Sequence, residues 1–173
     1  EEQGLLKMDF LGLRTLTIIK NALNMIKKNH GIDIDMMKIP LDDPKTFEML
    51  QRGDTVAVFQ LESGGMQNLC RSFGVETLEH IIALLAIYRP GPMQFIPDFI
   101  ARKKGEAQII YDHPLMEDCL KETYGIMLYQ EQIMQVVQVL AGFTLGGADI
   151  LRRAIGKKKV DVLAKQKEKF FKG

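Results

Sequence analysis

The sequence has no tryptophan, and only two cysteines, three histidines and six prolines in 173 residues. No apolar run approaches the roughly 20 residues that a membrane span requires, so a bilayer-crossing helix is excluded and no membrane partner is expected. Cys70 and Cys119 stand 49 positions apart, neither in a CxxC nor beside a histidine, which leaves no metal or redox spacing and favours a reduced, cytoplasmic chain. His30 precedes Gly31 at an expected helix end, His113 precedes Pro114 at an expected helix start, and His80 stands alone. Scattered in this way, the three suit local roles rather than a ligand cluster. A large net charge of either sign is also lacking, the balance being +1. The opening EEQGLLK carries neither an initiator methionine nor the basic and apolar regions of a signal peptide, and the chain stops within the helix-like KQKEKFFKG; we expect a piece of a longer protein.

What is present is the composition of an ordinary globular chain, 46% hydrophobic and 26% charged, long enough for one good-sized core. The near-zero charge hides an asymmetry. Residues 1–144 carry 14 Lys/Arg against 19 Asp/Glu, whereas residues 145–173 carry 9 against 3. One end of the chain is suited to an anion.

Periodicity predicts a mainly α fold, with about eight helices and two or three short strands. Leu13, Leu16, Ile19, Leu23 and Ile26 recur at helical spacing up to His30-Gly31. Asp43 and Pro44 open a helix that Gly53 closes, and Ser63 caps another that runs to Gly74. Residues 77–88, TLEHIIALLAIY, are apolar on nearly every face and predict the buried centre of the domain, ended by RPGPM. TVAVFQLE and AQIIY read as short strands, and Asp33 and Asp35 of GIDID as a surface turn. A helix around PDFIARKK should end at Gly105, and Asp112 or His113 should cap a helix in DHPLMEDCLKE. YQEQIMQVVQVLAG predicts an amphipathic helix with Ile133, Val136, Val137 and Leu140 inside and Gln132, Gln135 and Gln138 outside.

GGADILRRAIGKKK, residues 146–159, holds Arg152, Arg153, Lys157, Lys158 and Lys159 within eight positions. On a helical projection Ile150, Leu151, Ala154 and Ile155 share one arc, and Asp149, Arg152, Arg153, Lys157 and Lys159 the opposite one. Lys158 points away from its neighbours, so the helix should end or bend near Gly156, and LGGAD should supply flexible backbone before the helix start. A solvated basic face is the plain alternative. Such faces usually mix signs, however, and here Asp149 is the one acid. Paired guanidinium groups match phosphate oxygens, which makes phosphate the working ligand.

LLKMDFLGL places Asp9 among apolar neighbours with Lys7 two positions earlier. In a strand the two would share a face able to hold a divalent cation and its phosphates; an ion pair or a helix-capping Asp is the simpler alternative. Asp9 alone cannot make a metal site, and any partner carboxylates must come from elsewhere.

The runs KMDFLGLRTLT (7–17), VFQLES (58–63) with GM near it, YRPGPM (88–93), YGIMLYQEQIM (124–134) and LGGADILRRAIGKK (145–158) resemble, in order, the signatures of the C family of bacterial replicative DNA polymerases, the family of the polymerase III alpha subunit. The resemblance covers almost the whole chain. It implies that residues 1–12 end a palm domain, in a strand of the palm sheet, and that residues 13–173 begin the fingers domain. It further implies that Asp9 is the third of three catalytic, metal-binding aspartates. The other two, in an Asp-x-Asp motif, would lie upstream. Lys7, Arg152 and Arg153 match residues that engage the incoming triphosphate, and Lys157, Lys158 and Lys159 are candidates to track primer or template phosphates. The implied activity is template-directed transfer of deoxynucleotides to a primer 3′-OH with two Mg²⁺ ions, during chromosome replication. The implied partners are primer–template DNA, the incoming dNTP and, through other regions, further replicase subunits and a sliding clamp. The isolated piece is expected to be inactive. Two rivals remain: a nonenzymatic helical nucleic-acid-binding module using the basic helix 149–159, which has no need of Asp9, and a segment whose basic face binds an acidic protein.

Overall fold

Asp43, Ser63 and Thr77 each turn a side-chain oxygen back to accept a backbone N–H three residues on, from Thr46, Met66 and His80 respectively. These caps satisfy donors that a helix start leaves open, and each sets the first residue of a helix. The structure is a computed structural model that describes residues 4, 5, 8 and 10–172. It divides into two units, residues 1–41 and 42–173.

In the first unit, α1 (Arg14–His30) ends where Gly31, at φ 69°, donates its N–H to Lys27 O. Lys27 reaches over the turn to Asp33 at 2.7 Å, and Asp35 caps a short 3-10 turn, Met36–Lys38. The surface turn expected at GIDID is present, with both aspartates exposed.

The second unit holds α2 (Pro44–Arg52), α3 (Gly64–Phe73), α4 (Leu78–Ile87), α5 (Ile96–Lys103), α6 (Glu117–Leu120), α7 (Gln130–Ala141), α8 (Leu145–Gly156) and α9 (Val160–Lys172). The turn after α2 requires Gly53: φ is 69°, and an added Cβ would stand 2.8 Å from Arg71 Nη1 and 2.9 Å from Gln67 O. The main core gathers around Phe73 and Phe99, whose rings stack 5.0 Å apart at 10°, with Leu50, Leu84 and Ile87 also fully buried. Full burial of each such side chain stabilises by about 1.5–3 kcal/mol. A second cluster, Val137, Ala141, Phe143 and Ala148, joins α7 to α8, and Phe170 of α9 packs on it. A third, Met116, Leu120 and Val136, joins α6 to α7.

The strands expected from the sequence are not there: among the described residues every regular element is helical. The β-branched TVAVFQLE folds into two successive turns, Val58 N–H to Thr55 O and Leu61 N–H to Val58 O, with Ala57 and Gln60 at φ 65° and 62°. The buried Thr55 hydroxyl donates to Leu61 O at 2.6 Å and closes the loop on itself. AQIIY runs without a pairing neighbour, leaving Ile110 62% exposed; a strand is defined by its ladder, and apolar β-branched residues without a partner do not make one. Of the expected palm-sheet strand, residues 6, 7 and 9 lie outside the described residues, and residues 4, 5, 8 and 10 are not in a strand.

Two further expectations are corrected. α4 is buried along one face only, through Ala83, Leu84 and Ile87, while Ile82 is 49% exposed. Gln132 is not on the wet side of α7 but 4% exposed. Its Oε1 accepts from Leu128 N at 2.9 Å and Tyr129 N at 3.0 Å, and its Nε2 donates to Thr123 Oγ1 at 2.8 Å and Cys119 O at 3.3 Å. A fully bonded amide can sit in a core, so apolar periodicity misplaced it. No helix of the described residues is long and apolar enough to cross a membrane.

Candidate functional site

The basic stretch is built on a tight corner between two helices. Gly142 ends α7 at φ 60°, Phe143 drops into the core at 3% exposure, and Thr144 caps α8 by accepting the N–H of Gly147 at 3.2 Å. Gly146 and Gly147 therefore lie inside the first turn of α8, not before it as the sequence suggests. An added Cβ on Gly147 would meet Lys169 Nζ at 3.2 Å and Thr144 Oγ1 at 3.3 Å, so the corner is closely packed. The alanines of α8 do the same on its inner side. Ala148 and Ala154 are buried, and they leave the opposite face to Asp149, Arg152 and Arg153.

These three side chains form one cluster. Asp149 Oδ1 accepts from Arg152 Nε at 2.9 Å and Nη2 at 2.7 Å, and Asp149 Oδ2 stands 2.8 Å from Arg153 Nε in an ion pair. The spacings i to i+3 and i to i+4 put all three on neighbouring turns of one helix face. Arg152 Nη1 donates to Oε1 of Gln130, the first residue of α7, at 2.7 Å, which ties the cluster across the corner. Arg152 is consequently only 29% exposed, whereas Arg153 is 65% exposed. The hydrogen bond from Arg152, then the charges of Arg153 and Arg152, hold the Asp149 carboxyl below its ordinary value of 3.8, so it is an anion throughout the neutral range.

Two guanidinium groups against one carboxylate leave one excess positive charge. Arg153 meets Asp149 in an ion pair, 2.8 Å at its nearest through Nε, and its side chain stays 65% exposed. An exposed guanidinium beside a carboxylate keeps N–H donors that can meet two oxygens of a further anion.

The lysines part company with the arginines. α8 stops at Gly156, as the direction of Lys158 suggests, and Lys157, Lys158 and Lys159 form the exposed turn to α9, with Lys158 at φ 50°. Lys7 and Asp9 lie outside the described residues. Among the described residues no three His, Cys, Asp or Glu side chains are grouped to hold a metal ion. Gln130 is not foreseeable from the sequence as part of the site, because nothing in its own segment points 22 residues ahead to Arg152. Asp149 is visible in the sequence as the lone acid of the face, and its anchoring role is implicit in its spacing from both arginines.

A family model of the finger domain of the bacterial DNA polymerase III alpha subunit matches residues 15–173. The DNA polymerase III subunit alpha of Aquifex aeolicus is 51% identical over 175 residues, covering 100% of this chain and 15% of that relative. That of Thermus aquaticus is 52% identical over 178 residues, again 100% of this chain and 15% of the relative. The Borreliella burgdorferi subunit is 53% identical over 173 residues, with the same two coverages. The chain thus spans about 15% of the length of these relatives.

Proposed function

Since the chain belongs to the family of the bacterial DNA polymerase III alpha subunit finger domain, we propose that it works within a DNA-directed DNA polymerase and that its α8 cluster receives the triphosphate of an incoming dNTP. The observation that carries this reading is the pair Arg152 and Arg153 held on one helix face by a single carboxylate. On this reading residues 13–173 open the fingers domain and residues 1–12 close the palm.

The cluster's part in nucleotidyl transfer is electrostatic. Arg153 offers its outer N–H groups to phosphate oxygens, and Arg152, fixed by Asp149 and Gln130, lends charge from a set position. Preordered donors cost no reorganisation when negative charge develops on the departing pyrophosphate, and this is where such groups accelerate a reaction. Asp149 limits the site to one excess positive charge, which favours an oriented contact over a general affinity for polyanions.

Lys7 and Asp9 are assigned by resemblance alone: Lys7 as a further cation on the triphosphate and Asp9 as a metal ligand. Two Mg²⁺ ions would supply activation of the 3′-OH and neutralisation of the leaving group when bound. The described residues do not form such a site, so Asp9 would need carboxylates from elsewhere in the full-length protein. Primer–template DNA is the proposed nucleic-acid partner, with Lys157, Lys158 and Lys159 tracking its phosphates. The clamp and other replicase subunits would be met through other regions.

In the full-length protein, Asp9→Asn should abolish primer extension while leaving affinity for primer–template DNA close to wild type. Retention of substantial synthesis would remove Asp9 from the metal role. In the same protein, extension by Arg153→Ala should need roughly tenfold more dNTP; an unaltered dNTP requirement would take the triphosphate away from α8.

A further inference from the structure

Two of the sequence motifs, VFQLES (58–63) and YRPGPM (88–93), have no part in the α8 cluster, yet the fold brings them to one place. Gln60 and Ser63 from the first, Tyr88 and Arg89 from the second, and Met66 and Leu85 between them line an open cavity of about 280 Å³. The floor is apolar: Met66 is 3% exposed, and Leu85 and Tyr88 are half-buried. The rim is polar, with Gln60, Ser63 and Arg89 all exposed.

The cavity is a built feature and not a surface accident. A Cβ on Gly65 would stand 1.8 Å from the Tyr88 hydroxyl oxygen, so the glycine is what allows Tyr88 to lie against the start of α3. Gln60 is held at φ 62°, between the turn ending at Val58 and the buried Leu61, which sets its side chain on the rim. Among the described residues the Arg89 guanidinium has no carboxylate partner, unlike Arg52, Arg152 and Arg153. No acidic residue lines the cavity, which argues against a cationic occupant.

An apolar floor, a polar rim able both to donate and to accept, and a free guanidinium at the mouth together match a nucleotide. The volume is at the small end for ligand sites and takes one flat ring system rather than a base pair. We propose that this cavity receives an unpaired base of single-stranded nucleic acid, with Arg89 on the adjoining phosphate and Gln60 and Ser63 on the base edge. In a template-directed enzyme that strand is the template beyond the primer end. The assignment to the template rests on the polymerase reading, but strand binding can be measured without catalysis.

The test is equilibrium binding by the full-length protein, without dNTP or metal, of primer–template DNA carrying a 5′ template overhang and of the same duplex with blunt ends. Arg89→Ala should weaken binding of the overhang substrate about tenfold and leave blunt duplex within about twofold. Arg89→Lys, which keeps the charge, should recover part of the loss, and Gln60→Ala should weaken the overhang substrate about threefold. Free deoxynucleoside monophosphate should compete only at concentrations far above those of the overhang substrate. Equal losses on both substrates would make Arg89 a general backbone contact and overturn the proposal; so would no loss, or competition by the monophosphate as effective as that of the overhang strand, which would place a mononucleotide in the cavity. Failure here leaves the dNTP requirement of Arg153→Ala unaffected, whereas synthesis by Asp9→Asn would challenge the polymerase mechanism and leave an overhang preference standing.

Discussion

Asp149 shows how one residue sets the character of a site. As a competitor for the two arginines it should hinder phosphate binding; as their anchor it should help, because guanidinium groups fixed in place lose less entropy on meeting a ligand. The geometry favours the second role, since Asp149 fixes Arg152 through Nε and Nη2 while Arg153, beside the same carboxylate, stays 65% exposed. Asp149→Ala in the full-length protein should therefore raise the dNTP KM roughly tenfold although it removes a negative charge. A lowered KM would show that the carboxylate only competes. A second residue, His80, is governed by burial. Its Nδ1 accepts from Glu76 N at 3.2 Å, its Nε2 faces the Tyr124 hydroxyl at 3.2 Å, and its ring meets Phe73 edge-on. Burial first, then the charge of Lys103, pushes its pKa below 6.5. The folded state thus binds the proton less readily than the unfolded chain, so this contribution is complete above pH 6.5 and declines as pH falls below it. The urea midpoint of the 173-residue chain should drop between about pH 7.5 and 5.5, and His80→Gln should flatten that drop. An unchanged slope in the variant would assign the effect to another group.

At the scale of elements, the helix ends were legible and the buried polar links were not. Asp43, Ser63 and Gly53 act on backbone groups within a few residues, so their chemistry can be read from the segment that contains them. Thr55 and Gln132 act by enclosure. A β-branched threonine reads as a strand residue until its hydroxyl is seen to close a turn, and a glutamine reads as a wet surface until four partners surround its amide. The same holds for the site: the arginine pair was visible as a spacing on one helix, whereas Gln130 joins it only because Phe143 and Ala148 pack α7 against α8. Gln132→Leu keeps the volume but strands the backbone donors of Leu128 and Tyr129, and should cost about 2–3 kcal/mol in urea unfolding of the chain. A loss under about 0.5 kcal/mol would mean that water replaces the amide at little cost.

For the whole molecule, the concentration of positive charge in residues 145–173 divides into two kinds of cation. The arginines are restrained by Asp149, whereas Lys157, Lys158 and Lys159 are exposed on the α8–α9 turn. Point charges on a turn suit phosphates of no fixed geometry. Replacing all three lysines by alanine in the full-length protein should reduce the slope of log affinity against log salt for primer–template DNA by up to about 2.7, at roughly 0.9 for each phosphate that is no longer neutralised. An unaltered slope would free these lysines from any role with DNA. The central claim, that the restrained arginine pair receives a triphosphate, is tested most directly by measuring dNTP and dNMP affinities of the full-length protein bound to primer–template DNA, with and without Arg152→Ala plus Arg153→Ala. The account predicts at least a tenfold loss of dNTP affinity with dNMP and DNA affinities retained. Equal dNTP affinity in the two proteins, or a loss confined to DNA binding, would contradict it.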